Sequence, residues 1–164
     1  MAKRRTRAEL REEFLKLLDI WPHVRGFFAQ QAFEAGQEGE ESLIPTSAEL
    51  LERFENGPGT ASEHLSGLKA ELKSMAVGFS NGLKHGEQTA QDFVAFYRRA
   101  SGRNFFADIG DPDRLVQTIM AHDTLHSEDD YHVIKQCLDD HLKNWSAAEI
   151  AKANDMIARF EAIQ

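Results

Sequence analysis

The chain has one cysteine, four prolines and no long apolar run in its 164 residues. A lone thiol cannot close an internal disulfide, which excludes a disulfide-stapled scaffold and fits a reducing cytoplasm. No stretch approaches the roughly 20 apolar residues of a membrane helix, so no membrane partner is expected. Basic residues are outnumbered, 19 Lys and Arg against 27 Asp and Glu, for a formal net charge of −8. That excess repels phosphate backbones and makes nucleic acid an unfavourable partner for the body as a whole. The opening MAKRRTR has no apolar segment behind it and does not read as a secretory signal. Also missing are a sustained period-two run of β-branched residues, a phosphate-binding glycine loop, a Cys-x-x-Cys pair and a Glu-x-x-His pair.

What is present is helical periodicity. At 41% hydrophobic the chain can build a core, and its apolar residues recur three and four apart. We read an all-α fold, a single-domain bundle of roughly seven or eight helices with short loops and no β-sheet. Residues 1–6 form a basic tail and 7–164 the helical domain. Leu10, Phe14, Leu17, Leu18 and Trp21 share one face of a first helix capped by Thr6. Pro22 kinks that helix or starts a second one, giving an N-terminal pair over 7–35. Thr46 with Glu49 forms a capping box at the head of the central helices, 46–100. The longest of these places Leu65, Leu68, Leu72, Met75, Phe79 and Leu83 on one seam.

Along the same stretch Ser74, Gly78, Gly82 and Gly86 lie four apart. A helix-interior glycine costs about 1 kcal/mol, so the stripe marks either a neighbouring helix packed very close or a loop. The C-terminal helices, 111–164, are better punctuated. Asp111-Pro112 is a helix start, with Leu115, Val116, Ile119 and Met120 behind it. Ser127 with Asp130 resembles a capping box, Asp standing in for Glu, and leads a stripe of Tyr131, Ile134, Leu138, Leu142 and Trp145. Ser146 with Glu149 opens a last helix with Ile150, Ala153, Met156, Ile157, Phe160 and Ile163 on one side.

Four features bear on chemistry. His122 and His126 are four apart and would share a helix face, able to chelate one ion together with His132 and His64. The spacing is similar to that of metal-binding histidine pairs in hemerythrin-like and DinB-like helical bundles, without the fuller ligand set of a hemerythrin diiron centre. That resemblance implies a single divalent transition metal as cofactor; the plain reading of the residues implies none. Gly78-Phe79-Ser80-Asn81-Gly82 matches G-x-S-x-G, but that nucleophile elbow needs a strand before the serine, and none is predicted. Arg98, Arg99 and Arg103 sit among five aromatics in FVAFYRRASGRNFF, the residue types that contact phosphate and stack on bases; equally, the rings are core and the arginines cover them. The stretch Glu34–Glu63 holds one basic residue, Arg53, and reads as a solvated or partner-facing surface. Cys137 and His141 fall beside the last hairpin stripe as core residues.

The leading expectation is a small cytoplasmic protein acting without catalysis, as an adaptor, regulator or inhibitor that binds another protein, its seam also suiting self-association. The alternatives are a metal-dependent enzyme or sensor built on the histidines, and phosphate or nucleic-acid binding through the three arginines.

Overall fold

The computed structural model describes residues 5–37, 43–139 and 145–163. Met1 to Arg4 of the basic tail, Glu38, Glu40 and Glu41 of the acidic stretch, and His141 and Leu142 of the hairpin lie outside the described residues. Among the described residues the fold is all-α, with no strand: α1 (Arg7–Leu18), α2 (Trp21–Glu34), α3 (Ser47–Asn56), α4 (Ala61–Lys84), α5 (Gln88–Ser101), α6 (Phe105–Ile109), α7 (Pro112–Ala121), α8 (Glu128–Asp139) and α9 (Ala147–Glu161). The single turn α6 falls in what reads as an irregular link, nucleated by Asn104, whose side chain accepts from the Ala107 N–H.

Helix starts are where the sequence is most explicit, because the first N–H groups of a helix need acceptors from outside it. Thr6 with Glu9, Thr46 with Glu49 and Ser146 with Glu149 each form a complete capping box. Thr60 and Glu63 repeat the exchange ahead of α4, the Thr60 N–H donating to the Glu63 carboxylate at 2.6 Å and the Glu63 N–H to the Thr60 hydroxyl at 3.2 Å. At α8 the shorter Asp130 changes the pattern. Its N–H donates to Ser127 Oγ at 3.1 Å, but its carboxylate accepts from the His126 N–H, one residue upstream of the usual target. Pro22 sits in the first turn of α2, so it starts a new helix instead of bending the first.

The chain divides into two compact units, Met1–Lys69 with Phe96–Gly102, and Ala70–Ala95 with Arg103–Gln164. In the first, Phe14 stacks on Phe54 at 4.4 Å and Phe27 meets Phe96 edge-on at 5.7 Å. Trp21 Nε1 donates to the Pro45 carbonyl at 2.7 Å and Arg25 Nε to that of Ile44 at 3.1 Å, which ties the segment before α3 onto α2. Glu13 pairs with Arg5 and Lys69, and Glu55 with Arg7 and Arg11.

In the second unit the glycine stripe resolves as helical packing. Gly78 and Gly82 lie inside α4. A Cβ on Gly82 would fall 2.8 Å from Ala90 Cβ and 2.7 Å from Glu87 Oε2, so α5 approaches α4 where only a hydrogen fits. Gly86, at φ +72°, takes the left-handed position that ends the helix, with the Glu87 N–H donating back to the Gly82 carbonyl at 2.8 Å and the Gly86 N–H to that of Leu83 at 3.2 Å, a Schellman closure. That close approach lets Phe93 stack on Phe79 at 3.9 Å and meet Phe105 edge-on at 4.8 Å. A second cluster joins α7, α8 and α9 through Val116, Ile119, Leu125, Val133, Ile134, Cys137, Ala153 and Met156. Val133 and Cys137 turn inward, while Ile150 and Ile163, expected on the apolar side of α9, are 43% and 85% exposed.

Two predictions follow from these contacts. Gly82→Ala gains about 1 kcal/mol of helix propensity but overpacks α5 at a cost of about 1–3 kcal/mol, so urea unfolding should show a net loss that Ala90→Gly relieves. Gly67→Ala, with nothing within 4 Å of the added Cβ, should instead gain up to about 1 kcal/mol. The second concerns acid. Glu9, Glu49 and Glu63 are held below the ordinary carboxyl range, chiefly by the backbone N–H of Thr6, Thr46 and Thr60 and then by their hydroxyls. Carboxyls depressed by folding stabilise above their unfolded value and lose that contribution as pH falls through the folded one. Far-ultraviolet ellipticity should therefore decline as pH drops below the ordinary glutamate value, and Glu9→Gln, Glu49→Gln and Glu63→Gln combined, which remove the titrating carboxyls, should blunt the decline.

Candidate functional site

The metal reading depends on where the histidines fall. Helix α7 ends at Ala121, and His122 is its C-cap, so His122 and His126 are not stacked on one helical face. They flank the short link to α8, and there their rings meet edge-on, centroids 5.6 Å apart.

The link is well fixed. The His122 N–H donates to the Ile119 carbonyl at 3.1 Å. Asp123 takes a left-handed φ of +57°, a conformation that Asp tolerates better than most residues. Its carboxylate pairs with Lys152, and its carbonyl accepts from Arg159 at 2.9 Å, both from α9. The Lys152 hydrogen bond, helped by charge from Lys152 and Arg159, holds the Asp123 carboxyl below the usual range. Leu125 is buried in the α7–α9 cluster, and the His126 N–H is held by Asp130.

His132 lies elsewhere, on α8, with its ring against Tyr131 at 5.4 Å. His64 belongs to the first unit, where a ring nitrogen is 2.9 Å from the Pro58 carbonyl oxygen and the ring is tilted over Phe54. The expected four-histidine set thus reduces to one close pair. Among the described residues no group of three or more His, Cys, Asp or Glu side chains is placed to hold a metal ion.

The arginine and aromatic segment resolves differently. Phe93, Tyr97 and Phe105 are fully buried, and Phe96 packs on Phe27, so these rings are committed to the cores and offer no stacking platform. Arg98 and Arg99 are exposed at the end of α5, and Arg103 pairs with Asp108 at 3.1 Å. Ser80 of the G-x-S-x-G match lies within α4, without the strained strand-to-helix turn that would present its hydroxyl. The neighbouring Asn81 is buried, and its carbonyl oxygen is 2.9 Å from His85 Nδ1.

Sequence reasoning missed one polar cluster. Lys135 Nζ donates to the Tyr131 hydroxyl at 2.8 Å, and that hydroxyl donates to Glu161 at 2.7 Å. Tyr131 also stacks on Phe160 at 5.4 Å, so the cluster fastens α8 to α9. Donation to the Tyr131 hydroxyl raises the Lys135 pKa. The i,i+4 spacing of Tyr131 and Lys135 is visible in the sequence; the partner 30 positions on is not.

Large apolar side chains also remain outside. In the first unit Phe33 is 69% exposed and Leu43 79%. No helix among the described residues is long and apolar enough to cross a membrane. No family model, curated protein or solved structure matches this chain.

The burial pattern separates the two roles of the arginine segment. Phe93→Ala should cost about 3–5 kcal/mol in urea unfolding, whereas Arg98→Ala with Arg99→Ala should stay within about 0.5 kcal/mol of the parent. A gel shift with a single-stranded oligonucleotide at low salt should show no retardation that depends on these two arginines.

Proposed function

We propose that this chain acts without catalysis, as a cytoplasmic adaptor, regulator or inhibitor that binds another protein. The observation that carries the reading is the Phe33 ring, 69% exposed near the end of α2. Leaving a phenylalanine in water forgoes about 1.5–3 kcal/mol of burial, and aromatic side chains are common anchors of protein interfaces. Leu43, at 79% exposure, is a second apolar side chain of the same unit available to a partner. The other large rings are used internally: Phe14, Phe93, Tyr97 and Phe105 are fully buried. Many of the charged groups on the surface are engaged in helix caps and ion pairs.

A photo-crosslinking residue at Gln37, just past the end of α2, tests this. We expect a discrete crosslinked protein of defined mass, a second copy of the chain included. Phe33→Ser should weaken that capture by roughly 10- to 100-fold, the equivalent of the lost burial, with helix content unchanged. Equal capture by the Phe33→Ser protein would contradict the assignment.

A further inference from the structure

We propose that the link between α7 and α8 binds one late first-row divalent ion, of the zinc, nickel or copper(II) class, through His122 and His126 with water completing the coordination. The inference is independent of the protein-binding surface and rests on three observations in the second unit. The first is distance. Two imidazoles on one tetrahedral ion, each with a metal–nitrogen bond of about 2.0–2.1 Å, have ring centroids about 5 Å apart. The His122 and His126 centroids lie 5.6 Å apart, close to the separation that a shared ion requires.

The second is preorganisation. Both backbones are fixed by the Ile119, Asp123 and Asp130 contacts and by the burial of Leu125, so little chain entropy is lost when an ion joins the rings. The third is access and charge. Both histidines are exposed, and the Asp130 carboxylate is held 3.1 Å from the His126 backbone nitrogen, which sets a negative charge beside the pair. Asp123 is engaged by Lys152 and Arg159 and is not assigned as a ligand. Imidazole donors with open positions select the later transition ions over magnesium and calcium, which prefer all-oxygen sites.

The test uses the untagged full-length chain, stripped with chelator and titrated calorimetrically with zinc chloride, with copper(II) followed in parallel by electron paramagnetic resonance. We expect one equivalent of each ion, nitrogen hyperfine structure on copper and no heat with magnesium. His122→Ala and His126→Ala should each abolish the tight phase. His132→Ala and His64→Ala should leave it intact, and circular dichroism of all four should match the parent. Should His126→Ala lose helix content, His126→Gln replaces it under the same criteria. Absence of binding, or binding that survives His126→Ala or follows His64 or His132, would overturn the proposal.

Discussion

The contact on which the aromatic cluster of the second unit depends is the approach of α5 to α4 at Gly82. With only a hydrogen at that position, Ala90 and Glu87 close on the α4 backbone, and the chain reverses through Gly86 in the left-handed region. Phe93 then reaches Phe79 and Phe105 at stacking and edge-on distances. The conformational cost of two interior glycines, about 1 kcal/mol each, is offset by an aromatic cluster that larger residues on the stripe would hold apart. The same logic governs the helix starts. Four Thr or Ser residues, each followed three positions later by Glu, supply acceptors that the backbone lacks, so the boundaries of short helices are set locally before packing is considered.

Much of the fold was legible for that reason. Capping boxes, the Asp111-Pro112 start and the Thr6 cap are local chemistry read over a few residues, and each lies where the sequence places it. The glycine stripe was legible as an alternative only. A spacing of four says that small residues line up if the segment is helical, but not that another helix lies against them; Ala90, eight residues beyond Gly82, decides it. Inward faces were less legible at helix ends. Ile150 and Ile163 fit the apolar periodicity of α9 yet lie near its termini and stay exposed.

The candidate sites were less legible still. The reading of His122 and His126 assumed a helix that continues to the second imidazole. The chain instead leaves α7 at Ala121 and turns through a left-handed Asp123, a conformation that the sequence does not announce in a non-glycine residue. The two rings meet all the same, because Arg159 and Lys152 grip Asp123 and Asp130 reaches back one residue further than a glutamate cap would. The arginine and aromatic segment illustrates a different limit. Its composition suits nucleic acid and a helical core equally, and only burial of Phe93, Tyr97 and Phe105 distinguishes them.

The close α4–α5 approach is what holds the aromatic cluster of the second unit together. Native-state hydrogen exchange reads this most directly, because amides in the most stable packing open last. The account predicts that the slowest amides include those of Ala76 to Gly82 on α4 and Phe93 on α5. Exchange of the α4 segment at the rate of the α7–α8 link, with protection confined to α8 and α9, would contradict it.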